Sequence, residues 1–411
     1  MLEAVDVGVA PGRTALALGF VAAGILLGTA SGLTPGLHAN NFALLLGSVA
    51  GLVPGPPRHV GAAMLAAGVV HTFLDIVPAL ALGVPDPAMA ASALPGHRLV
   101  LQGRGREAIR LSALGSVLAV AFAVPLALPV TAAMERAYPT IRAHLPVVLA
   151  AVAVALVTTE RSSRARLGGA IALAASGGLG LVALDLPANG LLPSGGMLAP
   201  LFAGLFGAPV LIEALGGEGV PTQEDAAVTT PRRVVALVAL VGTAAGAVVG
   251  YLPGISSAIA ATGALVALPS RGPRAFVVAT SGVNTANTVF ALFALIVLGT
   301  PRTGVLVALD DAGVPLDVPL FLGSIAIAAA VAFLLVLVLG DRYLATVGAL
   351  DNTRLSLGVL GVLCLLVVGL TGLVGLAVFA ASSVVGLVPG RFGARRATLM
   401  GVLLVPLALG G

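Results

Sequence analysis

The sequence contains no lysine, and all 21 of its basic residues are arginine. A phosphate-binding loop of the form G-x-x-x-x-G-K-[ST] needs that lysine, so nucleotide hydrolysis through such a loop is excluded. The single cysteine, Cys364, lies inside an apolar run, which rules out an intrachain disulfide and any metal site built on cysteines. Neither H-E-x-x-H nor G-x-S-x-G occurs, and histidine and aspartate without a placed nucleophile give a hydrolase no footing, so the chain is not expected to be an enzyme. Charge is scarce too: 9% of the 411 residues, against roughly 25% in an ordinary soluble domain. The pI of 10.2 reports a small arginine excess on a charge-poor chain. Without a basic face or interleaved aromatics, it is not the footprint of a nucleic-acid partner.

What is abundant is apolar. Hydrophobic residues make up 58% of the chain. Runs such as Ala15–Ile25, Val147–Val157, Val234–Val249, Ile325–Leu339 and Leu357–Val374 approach the roughly 20 residues that cross a ~30 Å hydrocarbon core. Fourteen apolar segments can be traced, seven on each side of one long polar loop, Gly216–Arg233. That loop divides the chain into a first transmembrane repeat (1–215), a polar linker (216–233) and a second repeat (234–411). The N-terminal stretch carries Glu3, Asp6 and Arg13 and lacks a basic n-region or a small-residue cleavage site, so the first helix is expected to be retained.

The halves share an unusual punctuation. Pro-Gly occurs in G-T-A-S-G-L-T-P-G-L-H-A-N-N at Gly28–Asn41 and again in G-A-V-V-G-Y-L-P-G-I-S-S at Gly246–Ser257. L-G-V-P at Leu82–Pro85 answers L-G-T-P at Leu298–Pro301, at nearly the same offset along the chain. Helices broken at matching places of two halves point to the binding site of a secondary transporter, because freed backbone groups survive at membrane depth only where something polar meets them.

Arginine placement tests the relative orientation of the halves, since arginine in short loops favours the cytoplasm. The loop His97–Arg110 holds Arg98, Arg104, Arg106 and Arg110, whereas its counterpart around Asp310–Asp317 holds three aspartates and no arginine. Leu186–Gly196 is arginine-free while Pro389–Arg396 carries Arg391, Arg395 and Arg396. Arg161, Arg164 and Arg166 face an uncharged counterpart near Gly375–Ser382. The expectation is an all-α, polytopic membrane protein of two inverted repeats. Its linker and the loops 97–110, 161–166 and 390–396 are cytoplasmic, and its N-terminus lies outside.

Around the first break stand Thr34, Pro35, Gly36, His38, Asn40 and Asn41; around the second, Pro253, Gly254, Ser256 and Ser257. A helix N-terminus beginning near Pro35 would aim partial positive charge at an anion; the competing reading is a proline-kinked helix with close glycine packing. H-T-F-L-D-I-V-P at His71–Pro78 sets His71 and Asp75 four residues apart on one helical face, a pair suited to binding a cation or shuttling a proton. A satisfied pair that fixes helix register is the bland alternative. S-G-V-N-T-A-N-T at Ser281–Thr288 stacks Asn284, Thr285, Asn287 and Thr288, which can replace a substrate's water shell or glue helices together.

These stretches, with L-P-G-H-R-L-V-L-Q-G-R-G-R-E-A and the closing L-V-P-G-R-F-G-A-R-R-A-T-L-M-G-V-L-L-V-P, resemble the archaeal branch of the TctA family over nearly the whole chain. That family comprises the large membrane subunits of tripartite tricarboxylate transporters. The resemblance implies ion-driven uptake of an organic anion and, as partners, a small membrane subunit and an extracytoplasmic binding protein. It places substrate contact at Pro35-Gly36 and Pro253-Gly254. No cofactor is implied beyond a coupling Na+ or H+. Pro253-Gly254-Ile255-Ser256-Ser257 is also loosely similar to the P-G-V-S-G-G-T signature of proteins that return undecaprenyl phosphate across the membrane. Polyprenyl-phosphate translocation is therefore the alternative, and a non-transporting scaffold a third reading.

Overall fold

Pro57 and Pro273, at corresponding places of the two halves, each occupy the first turn of a helix, where a missing N–H costs nothing. Gly83 and Gly299, separated along the chain by the same interval as the two prolines, end the runs in the left-handed conformation (φ +67° and +62°) that stops a helix cleanly. Two 26-residue spans of equal length result, 57–82 and 273–298. The L-G-V-P and L-G-T-P motifs thus begin as C-caps of the two most deeply buried helices.

The structure, a computed structural model, describes residues 11–35, 37, 39–83, 93–191, 196–215, 220–225, 227–252, 257–266 and 272–410. Its first half runs α1 (Pro11–Gly32), α2 (Ala39–Ala50), α3 (Pro57–Leu74), α4 (Ile76–Leu82), α5 (Ala93–Leu101), α6 (Gly105–Ala143), α7 (Leu145–Thr158), α8 (Ser163–Ala183), α9 (Leu198–Phe202), a π-turn (Ala203–Gly207) and α10 (Ala208–Ala214). The second runs α11 (Arg232–Tyr251), α12 (Ser257–Val266), α13 (Pro273–Leu298), α14 (Gly304–Asp311), α15 (Val318–Gly348), α16 (Asn352–Gly386), α17 (Val388–Phe392), a 3-10 turn (Arg396–Met400) and α18 (Gly401–Ala408). No strand occurs among the described residues, and eight helices are long and apolar enough to cross a membrane.

Equivalent helices run in opposite directions. The start of α3 meets the start of α15 through Arg58 and Asp317, while the start of α13 meets the start of α6 through Arg274 and Glu107. Gly96 of α5 touches both Leu80 at the end of α4 and Val277 near the start of α13, so the end of one 26-residue span lies beside the beginning of the other. The contacts exchange accordingly: α1 packs on α3 and α11 on α13, whereas α3 packs on α15 and α13 on α6.

α16 crosses twice. Asn352 at its start donates to the Ala214 carbonyl, and Gly390, just past its end, packs on the Glu213 carboxylate, so the run must double back. It does so at Gly372, whose φ of +69° no L side chain adopts readily and whose missing Cβ leaves room for the Asn189 carbonyl.

Two bodies emerge. Helices α1–α6 and α11–α15 share one hydrophobic core, while α7–α10 and α16–α18 build two smaller ones beside it. Each body therefore draws on both halves of the chain.

The arginine loops are shorter than the sequence suggests. Arg98 lies within α5 and Arg106 and Arg110 within α6, leaving only Gln102–Arg104 between those helices; Arg164 and Arg166 belong to the first turn of α8. The helices extend into the polar ends because arginine there finds partners. Arg395 bonds Glu160 at 3.0 Å, Arg396 bonds Glu213 at 2.6 Å, and Arg164 bonds the Arg391 carbonyl at 3.0 Å. The linker is held as well: Gln223 accepts from Gly105 N at 2.7 Å, and Asp225 pairs with Arg110 at 2.7 Å. The arginine-rich ends and the linker thus gather on one face.

Candidate functional site

Two glycine ladders place the helix breaks. Gly24, Gly28 and Gly32 recur every fourth residue on α1, and Gly242, Gly246 and Gly250 repeat the pattern on α11. The second ladder stands at the same offset from the first as Pro253 does from Pro35. A Cβ at Gly24 or Gly28 would overlap the Ala63 or Ala67 carbonyl of α3, and one at Gly242 would stand 2.8 Å from the Ala279 carbonyl of α13. Small residues at this spacing let backbones approach closely in lipid. The ladders end at His71 and Asn287: Gly32 packs against the His71 carbonyl and Gly250 against the Asn287 carbonyl. Both positions lie fourteen residues into their spans, counted from Pro57 and Pro273, about 21 Å along a helix axis. Helix α1 stops at Gly32 and α11 at Tyr251, so both helices end at matching depth from opposite faces.

His71 is fully buried; its Nδ1 lies 2.9 Å from the Ser31 hydroxyl of α1, and its ring stacks on Phe42 of α2. Asp75 stands between α3 and α4, its backbone N still donating to the His71 carbonyl at 2.9 Å. Its Oδ2 accepts from Asn284 Nδ2 of α13 at 2.8 Å. One turn back, the Thr72 hydroxyl lies 3.3 Å from that of Thr285. The polar residues of the two 26-residue spans therefore meet each other where the spans cross. The described hydrogen bonds include one from His71 to α1 and one from Asp75 to α13.

The other expected residues divide. Thr34 donates back to the Ala30 carbonyl at 2.8 Å, and Pro35 lies in the turn after α1. The second helix begins at Ala39 rather than near Pro35, because the chain turns through Leu33–Pro35 before helical bonding resumes. Thr288 and Ser257 are buried, and Asn287 has a buried Oδ1 with no partner among the described residues. Gly36, His38, Pro253, Gly254 and Ser256, and the side chains of Asn40 and Asn41, lie outside the described residues.

Several participants escaped the sequence reading. Ser31 and Phe42 touch His71 and Thr72 meets Thr285, and the four-residue glycine period ending beside His71 was the available signal. Ser112 of α6 meets Ser281 of α13 at 2.8 Å. Glu107 is fully buried and bonded by Arg274 at 2.9 and 3.0 Å, by Arg104 at 2.7 Å and by Thr229 at 3.0 Å. Its place among arginines in an ordinary polar stretch gave no sign of burial.

The sequence profile described as "Tripartite tricarboxylate transporter TctA family" matches residues 18–401, a range that includes both glycine ladders, both break regions and the crossing of the two spans. The chain belongs to the TctA family. It is accordingly a multi-pass membrane protein of a transporter family. It is 28% identical over 394 residues to a protein of Methanocaldococcus jannaschii named only as uncharacterized, covering 94% of this chain and 96% of that one. No solved structure matches the chain.

Proposed function

We propose that the chain is the membrane permease of a secondary-active transporter that carries an organic anion, a di- or tricarboxylate, driven by a proton or cation gradient. The observation that carries this reading is the pairing of each helix break with a polar position at equal depth, His71 for one and Asn287 for the other, on oppositely directed spans. On this reading residues 1–215 and 234–411 are inverted repeats joined by the linker 216–233. The arginine-rich face is cytoplasmic, as arginine bias favours, and the N-terminus lies outside.

In the proposed mechanism, the breaks around Pro35-Gly36 and Pro253-Gly254 receive the carboxylates, and Asn284, Thr285, Asn287 and Thr288 replace water around them. Asp75 couples transport to the gradient. A carboxylate at this depth is costly unless a proton or cation meets it, and Asp75 holds the other repeat through Asn284. Neutralising Asp75 weakens that bond, and the crossing of the two spans loosens with it. His71, bonded to Ser31 of the helix that enters the first break, links the same event to the substrate side. The family's tripartite name supports a small membrane subunit and an extracytoplasmic binding protein as partners.

The test is counterflow of labelled citrate and succinate in proteoliposomes under imposed proton or sodium gradients, with translocation of a polyprenyl phosphate measured alongside. Gradient-driven uptake that falls tenfold or more, on the order set by a lost charge-assisted contact, in Asp75→Asn is the expected result. Movement of the polyprenyl phosphate without either carboxylate would replace this reading with lipid-carrier translocation.

A further inference from the structure

Several arginines near helix ends meet carboxylates, and Arg302 does not. Arg104 and Arg274 reach Glu107, Arg395 reaches Glu160, Arg396 reaches Glu213, and Arg58 and Arg110 reach Asp317 and Asp225. Arg302, in the segment between α13 and α14, has no carboxylate partner among the described residues. Its guanidinium donates to the Tyr138 hydroxyl of α6 and lies 5.2 Å from the centre of that ring. A phenol and a π-face orient a guanidinium but leave its charge uncancelled. The Arg302 Nε is buried and unpartnered, and so are the hydroxyls of Thr300 and Thr303. Three unspent polar groups, one of them cationic, stand within four consecutive residues. Thr303 precedes α14 without capping it through its side chain, so its hydroxyl remains available.

The segment runs between the two breaks. Thr131 and Tyr138 are seven residues apart on α6, about 10 Å along its axis. The Thr131 hydroxyl bonds that of Tyr251, the last residue of α11 before the second break. On the other side Val305 packs against Gly68, less than one turn before His71. Helix α14 then leads toward Val314, which touches Gly61 near the Arg58 end of α3, on the face opposite the linker.

We propose that Arg302, with Thr300 and Thr303, forms a recruiting site for the carboxylate of a soluble organic anion on the face opposite the linker, ahead of the two helix breaks. The site rests on the transport reading for its substrate class. The guanidinium edge and two hydroxyls all donate, the chemistry that recognises a carboxylate. Tyr138 holds the guanidinium in place and leaves Nε free to meet the ligand.

The absence of tryptophan from the chain permits a direct test. In the full-length protein Tyr138→Trp is the sole tryptophan and keeps a ring beside Arg302. Its emission is titrated in detergent with citrate and succinate, with chloride at equal ionic strength as control and phosphatidylglycerol micelles as a separate arm. A saturable citrate or succinate response that disappears with Arg302→Gln and weakens with Arg302→Lys is expected. No response, or one that survives Arg302→Gln, overturns the site, and a response to phosphatidylglycerol alone reassigns it to a lipid headgroup. Citrate uptake by otherwise unaltered protein separates the two proposals. Arg302→Gln is expected to raise KM about tenfold with Vmax within about twofold, the pattern of lost binding rather than lost chemistry. An unchanged KM in an active transporter sinks the recruiting site and leaves the transport reading intact. Emission changes without uptake of any anion sink the transport reading and leave the site.

Discussion

The two faces of the larger body hold corresponding contacts of unequal strength. On the linker face Glu107 is fully buried and gripped by Arg274, Arg104 and Thr229; on the opposite face Arg58 and Asp317 meet across 3.7 Å with 47% and 31% of their side chains exposed. Both clusters join the start of one 26-residue span to the start of a long helix from the other half, α13 to α6 and α3 to α15. The helix ends correspond in the two contacts and the side chains do not. Removing one partner of a buried ion pair costs about 3–5 kcal/mol, while an exposed pair contributes about 0–1 kcal/mol. The contact at Arg58 and Asp317 therefore yields with less work than the one at Glu107.

The largest expected effect comes from Glu107→Ala, which leaves two guanidinium groups facing an emptied pocket and should lower unfolding free energy by about 3–5 kcal/mol. Denaturation in detergent measures it, and a loss under about 1 kcal/mol would erase the contrast between the faces. Next comes Gly28→Ile, whose side chain has no room against Ala67, and Gly246→Ile, which meets Ala286 and Val283. Each should cost about 1–3 kcal/mol by overpacking, and equal losses in the two would show that the ladders do equivalent work. Asp317→Asn should change stability by less than about 1 kcal/mol, and a larger loss would make the two faces equals.

The smallest effect concerns the linker. Arg110 holds the Asp225 carboxyl below its ordinary value, chiefly by hydrogen bonding. A carboxyl depressed on folding stabilises the folded state above its unfolded pKa, about 3.9, and that contribution is lost as pH falls through the lower folded value. The stability difference between the unaltered protein and Asp225→Asn should accordingly be present at neutral pH and vanish in acid; a difference that grows on acidification would contradict the pairing.

Much of the architecture was legible because lipid imposes it. Apolar runs, the polar linker and the near-constant offset between repeated motifs identify helices, halves and breaks, since only internally bonded segments survive in hydrocarbon. Asp75 and Asn284 were visible as polar groups in apolar helices, but not as partners. Their meeting depends on the angle at which α3 and α13 cross, and sequence spacing carries no such information between distant segments. Glu107 was illegible for the same reason: its burial is made by Arg274 and Thr229, which arrive from distant parts of the chain. The doubling back of α16 was hidden inside a run of continuous hydropathy, where Gly372 looks like any other glycine.

By itself the sequence determined that this chain lives in a membrane, that its apolar segments fall on two sides of one polar linker, and that Pro-Gly motifs recur at a near-constant offset, because hydrophobic length and proline-glycine chemistry act locally. Only the tertiary structure decided which polar groups share the crossing, which face carries the buried carboxylate, and how the halves contribute to both bodies. Those outcomes follow from close packing between helices far apart in the chain, where a difference of one turn exchanges one set of neighbours for another.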